Sequence, residues 1–261
     1  STEHKEFCGS ITFKPMTYYH MLYDICESLA HHGFKKLAFL VCHGGNAPVA
    51  NLISREVRSD FGVYPFVLNS GAFDHPDVKA TISKGNTFDF HGGEMETSMV
   101  MAIDESLVKL ETSEKGIPKN TAMKAHLSWL ATDWVTEKGK PIGIVASAIN
   151  EVKSLMLGFT EPTICTTESS GKIGMICKYQ ELTRLEMEQV DRENTIVLIP
   201  LGALEQHGNQ APLGTDTLIA GAMCDYIEKE LKDEDINLLF FPVIPVGLST
   251  EHKEFCGSIT F

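Results

Sequence analysis

Cysteine is sparse in this chain. There are seven in 261 residues, at positions 8, 26, 42, 165, 177, 224 and 256, and no two stand at CxxC spacing. That excludes a zinc-finger or thioredoxin-type motif and argues against a disulfide scaffold. Free thiols in a reducing cytoplasm are expected instead, and the first residues, STEHKEF, carry no signal-peptide pattern. Basic residues are also short, with 22 Lys and Arg against 35 Asp and Glu, a net charge of −13. A chain so acidic is a poor partner for nucleic acid or an anionic membrane surface. No apolar run approaches the roughly 20 residues of a membrane-spanning helix. What remains, 43% hydrophobic and 22% charged residues, is an ordinary globular composition, long enough for one large domain over 1–261 with a substantial core.

Thirteen residues occur twice, letter for letter: STEHKEFCGSITF spans Ser1–Phe13 and again Ser249–Phe261. Solenoids and propellers repeat a short unit many times, and this chain does not. Overlapping ends suggest a circle that was opened inside the repeat, with Phe261 continued by Lys14. The joined reading is a sensible strand, loop and helix, so the chain reads as a circular permutation, tolerated where ends meet at the surface. The two copies would then compete for one place; continuity with the preceding strand leans toward the second. The plain alternative is an accident of chain assembly or numbering.

Periodicity supplies the fold class. Thr195–Leu201 is apolar throughout, as suits a strand covered on both faces. Thr217–Lys232 then reads as a helix with Ile219, Met223, Ile227 and Leu231 on one face. Leu238–Val246 is strand-like but interrupted by two prolines, so it should end at an edge or an exit. Met16–His32 is helical, with Tyr18, Leu22, Ile25 and Leu29 on a stripe and Gly33 as its stop. Leu37–Val41, Pro48–Asp60 and Val63–Leu68 continue as strand, helix and strand. Such alternation predicts an α/β fold, a three-layer α/β/α sandwich on a mainly parallel sheet. Glu168–Gly174 reads as a loop, and Met175 as the start of the unpermuted order.

Ligands gather at the carboxyl ends of parallel strands, and three loops there are rich in metal-ligand residues. Gly202–Asp216 offers Glu205, His207 and Asp216; Cys42–Asn46 offers His43 among glycines; Asp89–Ser98 offers His91, Glu94 and Glu96. Histidines with carboxylates form a donor set for zinc or manganese. Singly, each has a plainer use: His43 in packing, Glu205 in solvent, Asp216 as a helix N-cap. Their combination at one sheet edge is the signal.

The same residues resemble the creatininase (creatinine amidohydrolase) family. The resemblance lies in GALEQHG with LGTD, HGGN, HGGxxETS, and the repeated EHKEFCGSIT, where Cys8 or Cys256 replaces a usual proline. It implies two divalent ions per subunit, Zn²⁺ or Mn²⁺. Glu205, Asp216 and His43 would hold one, and His207, Asp216 and Glu96 the other, with Asp216 as the bridge. The nucleophile would be a water or hydroxide between the ions, with His91 as the catalytic histidine; a plainer role for His91 is to orient Glu96. Glu251 and His252 (or their copies Glu3 and His4), together with Gly45, would line the substrate. A homo-oligomer, commonly a hexamer, is implied as well.

Departures narrow the substrate. Gly45 stands where creatininase itself has a glutamate, and Lys84–Phe90 lacks the tryptophans with which that enzyme closes over its planar substrate. Other branches of the family act on formamides or peptide-like bonds. The expectation is therefore a metal-dependent amidohydrolase of a cyclic amide, formamide or other small non-peptide C–N bond. A non-catalytic metal- or ligand-binding relative is the alternative.

Overall fold

The computed structural model describes residues 9–69, 91–118, 134–136 and 174–248. In chain order the main elements are α1 (Pro15–His31), β1 (Lys36–Val41), α2 (Ala47–Phe61), β2 (Tyr64–Asn69) and α3 (Glu94–Asp104). There follow β3 (Gly116–Pro118), β4 (Trp134–Thr136), β5 (Ile176–Lys178), α4 (Arg184–Gln189), β6 (Ile196–Leu201), α5 (Thr215–Leu231) and β7 (Leu238–Phe240). Five strands form one sheet in the order β2-β1-β6-β7-β5, every pairing parallel. β3 and β4 form a separate antiparallel pair.

The continuous apolar strands are explained by burial on both faces. On one face Leu37, Phe39, Val41, Val197, Ile199 and Leu201 meet Tyr18, Leu22, Cys26 and Leu29 of α1 and Ile53 and Val57 of α2. On the other, Ala38, Leu40, Leu198 and Phe240 meet Ile219, Ala220 and Cys224 of α5. Alternation along each strand assigns its side chains to the two layers, and the result is the α/β/α sandwich. On α1 the buried stripe takes Cys26 rather than Ile25, which is only half-buried. Gly33 follows the helix at φ +93°, a left-handed position that a side chain would strain. β7 stops at Phe240, before Pro242, and only a bridge from Ile244 to Leu201 continues the pairing. The prolines thus mark an exit, and the strand itself lies inside the sheet, with β5 outside it.

This order creates a crevice. From β6 the chain passes through α5 on one face to β7 on one side. From β1, on the other side of β6, it passes through α2 on the opposite face to β2. Neighbouring strands whose connections leave in opposite directions part at their carboxyl ends, where ligands bind. Here those ends are Val41 and Leu201, which sit side by side.

The described end of the first repeat copy closes this region from the flank. The Ile11 N–H donates to Leu204 O at 2.8 Å and the Phe13 N–H to Gly247 O at 3.2 Å. The Gln206 N–H donates to Ser10 Oγ at 3.1 Å. The seam beside Gly247 therefore holds Gly9–Phe13, where chain continuity alone favoured the second copy. Among the described residues no helix is long and apolar enough to cross a membrane.

The layered packing makes a graded prediction. Phe39 is fully buried, whereas Phe66 on the edge strand is 49% exposed. Urea denaturation should show Phe39→Ala losing about 3–5 kcal/mol and Phe66→Ala staying within about 0.5 kcal/mol.

Candidate metal centre

Three chain segments deliver six side chains to the crevice. The Cys42 N–H donates to Leu201 O at 3.1 Å, prolonging the β1–β6 pairing by one step and setting His43 just beyond it. The loop after β6 folds back on itself through the Glu205 N–H to Leu213 O bond at 2.9 Å and a His207–Ala211 bridge. Asp216 is the second residue of α5, and Gly214 is the N-cap, so the N-cap role for Asp216 does not apply. A carboxylate in the first turn of a 17-residue helix is still favoured by the helix dipole. His91 and Glu96 flank the start of α3.

The third segment is packed tightly against the second. Gly92 has φ +58°, and a Cβ there would come within 2.7 Å of the His207 carbonyl carbon. Only glycine satisfies both conditions. The Gln210 side-chain amide, buried at 1% exposure, donates to Gly92 O at 2.6 Å and to Thr97 Oγ1 at 3.3 Å. The Gly92 N–H in turn donates to Glu96 Oε2 at 2.5 Å, so the His91-Gly92 backbone orients that carboxylate.

The six groups converge. His43 Nδ1 lies 3.2 Å from Glu205 Oε1 and 3.2 Å from Asp216 Oδ2. His207 Nε2 lies 3.3 Å from Asp216 Oδ1 and 3.8 Å from Glu96 Oε2. Asp216 therefore turns one oxygen to each histidine. His91 Nδ1 is 3.8 Å from Glu205 Oε1, and its ring lies 4.3 Å from that of His207. Among the described residues two groups of donor atoms are compact enough for an ion: His43 with Glu205 and Asp216, and His91 with Glu96 and His207. The second includes His91, where the resemblance implied Asp216. Glu96 is the most open of the six, with 20% of its side chain exposed.

Backbone carbonyls set each imidazole. A carbonyl only accepts, so the nitrogen facing it carries the proton. His207 Nδ1 donates to Glu205 O at 3.0 Å, leaving Nε2 directed at the carboxylates. His91 Nε2 donates to Gln206 O at 2.5 Å, and His43 Nε2 faces Leu248 O at 3.4 Å.

Electrostatics favour positive charge here. Burial alone would lower the His43 pKa, but the Glu205 and Asp216 carboxylates more than reverse this and raise it to about 10. Burial likewise opposes the charged form of His207, and Asp216 and Glu96 again prevail, raising it to about 10. Burial pushes the Asp216 carboxyl up, yet His207 and His43 together hold it below the usual range. A site that draws protons onto two buried imidazoles is suited to a divalent cation, which would replace those protons. His207 Nε2 and Asp216 Oδ2 are also buried without a well-formed hydrogen bond, as expected of ligand atoms. The donor set therefore fits divalent metal.

Of the other expected site residues, Gly45 lies in the short turn Gly44–Asn46 next to His43. Glu251 and His252, their copies Glu3 and His4, and Lys84–Phe90 lie outside the described residues. Cys42 is buried, and Glu94 is fully so. The bracing role of Gln210 has no signature in the sequence, because it is made by contacts between distant loops.

The fold and site define a doubly wound α/β protein with a candidate metal site at its switch point. The family model of creatinine amidohydrolase matches residues 1–153 and 180–261, and the chain belongs to the creatininase family. Among curated proteins it is similar to the mycofactocin precursor peptide peptidase of Mycobacterium tuberculosis (strain H37Rv). That match is 38% identical over 85 residues, covering 31% of this chain and 34% of the relative. The same-named proteins of Mycobacterium ulcerans (strain Agy99) and Mycolicibacterium smegmatis (strain ATCC 700084 / mc(2)155) are 41% and 36% identical. These matches cover 24% and 25% of this chain and 27% of each relative. The chain thus spans about a third or less of the length of the curated relatives it matches. No solved structure matches it.

The close approach at Gly92 is testable. Gly92→Ala should cost about 1–3 kcal/mol of stability through backbone strain. It should also lower metal uptake, read by urea denaturation and elemental analysis of the same preparation.

Proposed function

We propose that this chain is a metal-dependent amidohydrolase working with two divalent ions, zinc or manganese. The observation that supports it best is Asp216, which presents one carboxylate oxygen to His43 and the other to His207. Glu205, Asp216 and His43 would hold one ion and His207, Asp216 and Glu96 the other. Divalent ions so held polarise a carbonyl and lower the pKa of water. The protein supplies the rest. Its buried carboxylates fix the charge of the site, and the exposed side of Glu96 leaves an approach for substrate. His91, with Nε2–H tied to Gln206 O, would take a proton at Nδ1 from the attacking water and pass it to the departing nitrogen. Hydrolysis then consumes one water, breaks the C–N bond, and yields a carboxylate and an amine.

The substrate class is drawn from two directions. Gly45 and the lack of tryptophan in Lys84–Phe90 favour a small cyclic amide or formamide over creatinine. The relatives named as peptidases favour a peptide bond, and this reading takes precedence because named proteins support it. Mass spectrometry of a panel holding both classes separates them. Elemental analysis should find about two equivalents of zinc or manganese, and Asp216→Ala should lose both metal and turnover. His91→Gln should keep the metal and lose about 10²–10⁴-fold in rate. Loss of an ion instead would make His91 a ligand. Two bound ions with no turnover of any amide would favour the ligand-binding alternative.

The circular permutation belongs to the same proposal, with the two copies of the repeat as alternative occupants of the seam at Leu204 and Gly247. Removal of residues 1–13 or of 249–261 alone should leave a folded, metal-binding chain, and removal of both should not. A homo-oligomer, hexameric by resemblance, would cover Tyr64, Phe66 and Leu68, which are 52%, 49% and 44% exposed on the edge strand. The buried thiols of Cys26 and Cys224 suit a reducing, cytoplasmic setting.

A further inference from the structure

We infer that Asn46 is a positioning residue that, acting through Leu248, fixes the orientation and tautomer of His43. The inference rests on the metal-site reading above.

Asn46 is fully buried, and its side-chain amide is held at both ends. Nδ2 donates to Gly202 O at 2.9 Å, and Oδ1 accepts from the Leu248 N–H at 2.9 Å. The amide orientation is unambiguous, because the reverse would set donor against donor and acceptor against acceptor. One side chain thus links the loops that follow β1, β6 and β7. The Asn46 N–H also donates to His43 O at 3.0 Å, closing the turn that carries the histidine.

Leu248 is thereby gripped twice by the same motif. Its N–H is bound by Asn46, and its carbonyl faces His43 Nε2 at 3.4 Å. The carbonyl requires the proton on Nε2, and this leaves Nδ1 as the donor atom toward Glu205 and Asp216. Gly247 marks how close the loops come. A Cβ there would lie 2.5 Å from Asn46 Oδ1 and 2.7 Å from Gly202 O. The glycine is needed for the amide to reach the Leu248 N–H. In the HGGN motif, the histidine is thus the ligand and the asparagine sets its bearing through the backbone of a third loop.

The test is a cobalt(II) titration of the metal-free full chain, followed by visible d–d absorption and by bound metal after gel filtration. Wild type, Asn46→Ala, Asn46→Asp and Gly247→Ala are compared. Asn46→Asp retains an acceptor for Leu248 but sets a carboxylate against Gly202 O. Gly247→Ala disturbs the same amide without altering it. Each variant should weaken one of the two cobalt sites by about 10–100-fold and change its absorption band, while the site at His207 and Glu96 keeps its affinity. Variants that fold and bind both ions with wild-type affinity and spectrum would overturn the role of Asn46. Equal weakening of both sites, or failure of all three variants to fold, would make it a general brace and also overturn the inference. A wild-type chain that binds no cobalt would instead overturn the metal-site reading.

Discussion

Asp216 lies between two histidines, and much of the architecture serves to keep it there. It is almost fully buried, at 1% exposure, in the first turn of α5, with Glu205 fully buried nearby. Carboxylates removed from water cost several kcal/mol each unless positive charge compensates them. The compensation comes from imidazoles on different loops. It depends on the backbone carbonyls of Glu205, Gln206 and Leu248, which hold each ring in one orientation. A shift in any of these loops would leave a carboxylate short of its partner. The tight bracing by Asn46, Gln210, Gly92 and Ser10 is understandable on this ground.

The sheet order provides the geometry for that arrangement. Because β1 and β6 are neighbours whose helices depart in opposite directions, their ends diverge just where His43 and Glu205 emerge. α5 brings Asp216 back from the same loop that carries His207, so the bridging residue and one of its partners are covalently close. α3 packs against α5 and brings His91 and Glu96 from a distant part of the chain. Long-range packing thus assembles a site from parts that are each locally simple.

Much of this was legible in the sequence. The apolar runs at 37–41 and 195–201 suited strands covered twice, and the stripe at Ile219, Met223, Ile227 and Leu231 does pack on a core, with Ile219 buried and the rest half-buried. The clustering of His43, Glu205, His207, Asp216, His91 and Glu96 followed from placing three loops at the same sheet edge. Other features were hidden because they depend on tertiary context. The choice of Cys26 over Ile25 turns on how α1 is rotated against the sheet. The interior place of β7 is decided by β5, a three-residue strand too short to show a pattern. The grouping of His91 with Glu96 and His207 depends on side-chain directions at a helix start, which spacing alone does not convey.

The seam between Phe13 and Gly247 has a consequence for how the chain reaches this state. β6 and β1 lie side by side, yet most of the linear chain separates them, whereas a chain that ran on through the seam would join them by a much shorter path. Loop-closure entropy rises only slowly with length, about 0.6 kcal/mol per doubling, so the finished fold loses little. The search for it is another matter, since pairings between distant segments slow folding. By binding Leu204 and Gly247 from the amino-terminal side, Gly9–Phe13 ties α1 and β1 to the β6–β7 half in the finished fold, through contacts that span still more of the chain than the central pairing does.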